Sequence, residues 1–232
     1  MKVYFLLEDG KSFFKVLPEW LRHVDTSWRV VKSPEELQDG TFLIESGHGY
    51  PHLLRNLSGT LALFAHKDIQ LDLVVSMFDT DGVDAAALRN EIAAFEKCFA
   101  EAPRQYRHVI VPMNVCFETW LLGNRAVYPV QCIKQFQPWA EFYDVSKDDP
   151  EQMEKPENFH GSISMYHYRY LQEMLRAAQQ PNYSKGSPMF VSNEPYWREL
   201  VARATDTGDI QSFQSFLDVL YELAGKGVTA KC

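Results

Sequence analysis

Three acidic residues, Glu8, Asp79 and Asp81, stand where hydrophobic runs stop. "KVYFLLE" reaches Glu8 after a short apolar run, and "LDLVVSMFDTDG" delivers two aspartates one residue apart directly after another. Hard divalent cations such as Mg2+ prefer carboxylate oxygen, and a Mg2+ site typically draws on one or two carboxylates with water completing the shell. A Glu with an Asp-x-Asp pair is therefore enough for one ion and leaves room for a second shared with a phosphate. The plain alternative is turn chemistry, since Asp and Gly favour tight turns and Asp84 is placed to cap the helix that follows. An EF-hand loop fails: Gly82 follows Asp81 directly, and Asn90 stands where that loop needs its glutamate.

Such residues meet only if the fold brings their strand ends together. "KVYFLLE" reads as a strand, and Phe13, Phe14, Leu17, Trp20, Leu21 and Val24 recur after it at helical spacing. "SWRVVKS" and "TFLIESG" are further strand candidates, and "YPHLLRNLSGTLALFAHK" predicts a helix with a break near Ser58 and Gly59. "LDLVVSMF" predicts a buried strand, "DAAALRNEIAAFEKCFAEA" a long helix, "YRHVIVPM" a strand, and "NVCFETWLLGN" a helix closed by Gly123 and Asn124. Strands alternating with helices imply an α/β, Rossmann-like fold: a mainly parallel sheet with helices on both faces. Ligands of such sheets bind outside the carboxyl ends of the strands.

A single domain over 1–232 is expected, with a core of about 1–135, a polar surface loop over 136–162 and a helical C-terminal extension over 163–232. The chain has 232 residues, 46% of them apolar, enough for a real core; its formal net charge of -8 argues against a broad basic face binding nucleic acid by charge alone. Cys98, Cys116, Cys132 and Cys232 form no CxxC pair and read as reduced thiols. The apolar opening is too short for a signal peptide or membrane span, so a soluble, cytoplasmic protein without a membrane partner is expected.

With Glu8 in "VYFLLEDGKSFF" and Asp79 with Asp81 in "VVSMFDTDG", the chain resembles the TOPRIM fold, the catalytic domain of topoisomerases, primases and OLD-type nucleases. It looks closer still to small stand-alone TOPRIM-like proteins, whose "CFE-x-WLL" helix is matched by "CFETWLLGN" and whose late Tyr-x-Lys by "NYSKGSP". It departs from them at Asp9, where a glycine is common, and at Gly123 and Asn124, where Ala-Asp is usual.

The resemblance implies a nuclease that cleaves phosphodiester bonds with Mg2+ or Mn2+. Asp79 and Asp81 would hold the ion, and Glu8 would be ligand or general acid/base. Glu118 is then a further candidate ligand, set against a place on the solvent face of its helix. Lys185 becomes the candidate cation for charge on the scissile phosphate, set against an ordinary surface lysine. Lys11 and His48 are the candidate contacts to nucleic acid, although a lone loop histidine is more often structural. In "MYHYRYLQ" core packing outweighs stacking on bases. Relatives of this kind often work beside an ATPase in defence against phage, which implies an ATPase partner or a self-associated copy that gates the nuclease.

Two alternatives remain open. "MFDTDGVD" is also similar to the signature of haloacid-dehalogenase-like phosphohydrolases, which would make Asp79 a nucleophile. Val83 stands there in place of the usual Thr, and the downstream "TDTGDIQ" lies between predicted helices. The other alternative is a non-catalytic TOPRIM-scaffold interaction module.

Overall fold

The structure, a computed structural model, describes residues 1–130 and 133–225; Cys132 and Cys232 lie outside them. The chain forms two compact units, each discontinuous in sequence. Of the described residues, the first comprises 1–78, 83–112 and 218–225, and the second 79–82, 113–130 and 133–217.

The first unit holds the sheet. Its elements run β1 (Lys2–Leu7), α1 (Phe13–Val24), β2 (Arg29–Val31), β3 (Thr41–Ser46), α2 (His52–His66), β4 (Leu73–Asp79), α3 (Ala85–Ala100) and β5 (His108–Met113). The five strands are parallel, in the order β2-β3-β1-β4-β5, as the alternating strand–helix pattern predicts. β1 lies between β3 and β4, with Leu7 opposite Ser46 on one side and Met77 on the other.

The central strands are apolar throughout because both of their faces are covered. Tyr4, Leu6, Leu43, Val74 and Phe78 pack with Leu53, Leu57, Leu61 and Phe64 of α2 and Phe95 and Phe99 of α3. The alternate residues Val3, Phe5, Leu7 and Phe42 are also fully buried, with Phe5 stacked on Phe42 and Trp28 against Phe42. α2 runs unbroken through Ser58 and Gly59, against the predicted break. Its stripe of Leu53, Leu57, Leu61 and Phe64 outweighs the roughly 1 kcal/mol that a mid-helix glycine costs.

The second unit is helical: α4 (Phe117–Leu122), α5 (Ile133–Phe142), α6 (Ile163–Ala177), α7 (Glu194–Thr207) and α8 (Gln211–Leu223), whose last residues belong to the first unit. Trp120 anchors it, stacked on Phe216 with Phe213 edge-on and its indole N–H donating to Ser212 Oγ at 2.7 Å. The three helices predicted after residue 162 are present. The segment 136–162 is not wholly a surface loop: it opens within α5, buries Phe136, Val145 and Met153, and includes a 3-10 turn over Pro150–Gln152. Tyr166, His167 and Tyr170 are buried, which fits the core reading of "MYHYRYLQ". Among the described residues no helix is long and apolar enough to cross a membrane.

Candidate functional site

The turn after β4 belongs to the second unit and is fixed by its backbone. Thr80 N–H donates to Met113 O at 3.0 Å and Asp81 N–H to Val115 O at 2.9 Å. Asp81 and Gly82 adopt left-handed φ values of 49° and 71°, and Val115 one of 41°. Asp and Gly reach that region readily, whereas a β-branched valine does so only when its surroundings enforce it. The local sequence thus spends its DxDG on turning the chain and keeps both carboxylates near the end of the strand.

Each aspartate has a partner that orients it. Asp79 Oδ1 accepts the backbone N–H of Phe117, the first residue of α4, at 3.2 Å, and Asp81 Oδ1 accepts the hydroxyl of Ser164 in α6. Asp84 takes the plain role, capping α3 by accepting from the N–H groups of Ala86 and Ala87, and those bonds lower its pKa. Asp84 is thus the helix cap of the three aspartates.

Glu118 does not sit on a solvent face. It is 1% exposed; its Oε1 accepts the Tyr183 hydroxyl at 2.8 Å, and its Oε2 lies 3.8 Å from Lys185 Nζ. This brings "CFETWLL" and "NYSKGSP" together through side chains. Burial raises the pKa of the neighbouring Cys116 well above its ordinary value, and the negative charges of Glu118 and Asp79 push it further the same way. Both carboxylates therefore act on one small region of the second unit.

α4 is held from behind by His167. Thr119 Oγ1 accepts the Cys116 N–H at 3.2 Å and hydrogen-bonds His167 Nδ1 at 2.7 Å, while His167 Nε2 meets Met153 O at 2.9 Å. A carbonyl only accepts, so Nε2 carries the hydrogen and Nδ1 accepts from threonine, which satisfies both nitrogens of a neutral imidazole. Burial lowers the His167 pKa to about 4.

In the first unit Glu8 follows β1 directly. Its N–H donates to Met77 O at 2.9 Å, and its Oε1 accepts the Tyr50 N–H at 3.1 Å. Asp9 opens α1, its carboxylate accepting from the N–H groups of Lys11, Ser12 and Phe13 and from the Ser12 hydroxyl. His48 is exposed at φ 60° in the loop after β3, its N–H donating to Ser46 Oγ at 3.2 Å. Glu8, Lys11 and His48 all line one open cavity of about 980 Å³. Sequence reasoning missed Arg55 and Asn56 on the same wall and Ser164 in the second unit, and read His167 only as part of "MYHYRYLQ". None of these carries a motif; only distant contacts reveal them.

Among the described residues no group of three or more His, Cys, Asp or Glu side chains forms a metal cluster. The donor chemistry of Asp79 and Asp81 nonetheless suits Mg2+ or Mn2+, which need only one or two carboxylates beside water. Asp209, in the "TDTGDIQ" segment between α7 and α8, pairs with the buried Arg203 at 2.7 Å, so it gives a phosphohydrolase no acidic strand end. No family model, no curated protein and no solved structure matches the chain.

Proposed function

We propose that the protein is a Mg2+- or Mn2+-dependent nuclease of TOPRIM type, cleaving phosphodiester bonds in nucleic acid. The observation that carries this reading is the pair Asp79 and Asp81 at the end of a buried strand. Both are oriented by donors from α4 and α6, in the same unit as the Glu118–Lys185 ion pair. Asp79 and Asp81 would hold the ion. A bound divalent ion supplies Lewis-acid polarisation of the phosphoryl oxygen and a nucleophilic water at neutral pH.

The chain's own residues then do the following. The Phe117 N–H fixes the Asp79 carboxylate, and Ser164 fixes that of Asp81. Lys185 supplies positive charge for the scissile phosphate, held ready by Glu118. The net charge of -8 favours a partner, an ATPase or a second copy, that brings nucleic acid to the site and gates it.

The test is cleavage of labelled single- and double-stranded DNA and RNA by purified protein in Mg2+ and Mn2+, with EDTA and a small phosphomonoester as controls. Metal-dependent cutting of a polymer supports the reading. Hydrolysis of the monoester alone points to the phosphohydrolase chemistry instead, and metal binding without any cutting points to the partner-gated or non-catalytic form.

A further inference from the structure

The cavity beside Glu8 has a chemistry that the metal reading does not use. Arg55, Asn56, Gly59 and Thr60 line it from one side of α2, beside the stripe that packs on the sheet. Lys11 and Phe14 line it from the start of α1. Arg55 and Lys11 are exposed, and among the described residues neither side chain makes an ion pair or hydrogen bond.

The cavity's carboxylates, by contrast, are engaged by protein donors. Asp9 takes the opening N–H groups of α1, Glu45 takes the Tyr4 hydroxyl at 2.8 Å, and Glu8 takes the Tyr50 N–H at 3.1 Å. What the cavity offers a ligand is therefore two uncommitted cations, the exposed His48 ring, the polar groups of Ser46, Asn56 and Thr60, and the half-buried ring of Phe14. A Cβ built on Gly59 would meet nothing within 4 Å, so the helix face is left open there at the cost of a mid-helix glycine. At about 980 Å³ the space greatly exceeds an inorganic phosphate and suits an organic ligand that carries one.

We propose that this cavity seats one nucleotide of a single-stranded nucleic acid, its phosphate on Lys11 and Arg55 and its base against Phe14. The assignment rests on the nuclease reading for its biological sense and names the substrate class: an unpaired strand or frayed end. A base paired within a duplex cannot enter a pocket to stack on a ring.

The test uses the full-length protein in EDTA, where no cleavage intervenes. A fluorescent single-stranded oligonucleotide is titrated by anisotropy from low to moderate salt, against a blunt duplex of the same sequence. The wild type is expected to bind the single strand about ten-fold or more tightly than the duplex. Lys11→Ala with Arg55→Ala should lower the slope of log affinity against log salt by about 0.7, the value for one neutralised phosphate on a single strand. Phe14→Leu should weaken binding about five-fold or more without changing that slope. A charge-matched pair, Lys32→Ala with Lys97→Ala, both exposed elsewhere, should leave slope and affinity unchanged.

Circular dichroism checks that each variant folds. Equal binding of duplex and single strand, an unchanged slope in the Lys11/Arg55 variant, or the same loss in the control pair overturns the proposal. Binding in EDTA without metal-dependent cutting would leave the seat standing and replace the free-standing nuclease by the partner-gated or non-catalytic form. Cutting without this binding pattern would do the reverse.

Discussion

His167 makes the stability of the second unit depend on mild acid. Its side chain is fully buried, both nitrogens are hydrogen-bonded in the neutral form, and burial holds its pKa at about 4 against an ordinary 6.5. Because the folded value is depressed, the unfolded chain binds the proton first as pH falls. Stability is complete above pH 6.5, falls as pH drops towards 4, and levels off below it. Each pH unit in that window is worth about 1.4 kcal/mol, so the whole window costs about 3 kcal/mol.

Glu151 works the other way at the acid end. Burial raises its pKa above the ordinary value, so between that ordinary value and the raised one the folded state binds the extra proton and acid stabilises. The measurement is therefore a difference: urea unfolding of the wild type and of His167→Gln between pH 7 and pH 4.5. Gln can donate to Met153 O and accept from Thr119, and it does not titrate. The wild type should lose about 2.5 kcal/mol more than the variant across that range. Equal losses in the two proteins would refute the claim that His167 is buried neutral behind α4.

Other substitutions follow from the same contacts. Glu118→Gln keeps a partner for the Tyr183 hydroxyl and removes the charge that pairs with the half-exposed Lys185, so urea unfolding should show a loss of about 1 kcal/mol or less. Glu118→Ala strands that hydroxyl in the core and leaves a cavity, and should cost about 3 kcal/mol in the same assay. At Gly47 a Cβ would stand 2.0 Å from Leu53 Cδ1 and 2.9 Å from its backbone Cα, so Gly47→Ala should lower stability by about 1–3 kcal/mol, read as a fall in thermal midpoint. Trp120→Ala removes the stacking on Phe216 and the bond to Ser212, and should cost about 3–5 kcal/mol by denaturant titration.

The sheet was legible because its central strands are continuous apolar runs ended by charged or turn residues, a pattern that few other elements share. α2 was misread at Gly59 because local punctuation was weighed without the continuous stripe that the sheet buries. α5 was hidden by its composition. Pro138 sits inside it and polar residues surround it, while the contacts that stabilise it, Trp139 stacked on Tyr166 and Phe136 edge-on to Tyr170, come from residues about thirty positions away.

The setting of Glu118 was undecidable by periodicity for a physical reason: all six residues of α4 are buried, so the helix has no solvent face to mark its phase. The strand-end carboxylates and the Tyr-x-Lys segment were visible as motifs. Their partners, Ser164 and the Phe117 N–H, were not, because a serine and a backbone amide announce nothing until the chain folds them onto an aspartate.

The central claim is that the carboxylate ending β4 does chemistry while its neighbour in the same turn only shapes the chain. Single-turnover cleavage by Asp79→Asn and Asp84→Asn, each beside the wild type in Mn2+ with whichever nucleic acid the wild type cuts, tests this most directly. Each substitution removes one negative charge, from residues whose contacts differ: Asp79 takes the α4 N–H and Asp84 caps α3. The account predicts that Asp79→Asn abolishes metal-dependent cutting while Asp84→Asn keeps it and loses only some stability. Full activity in Asp79→Asn, or equal loss in both variants, would contradict it.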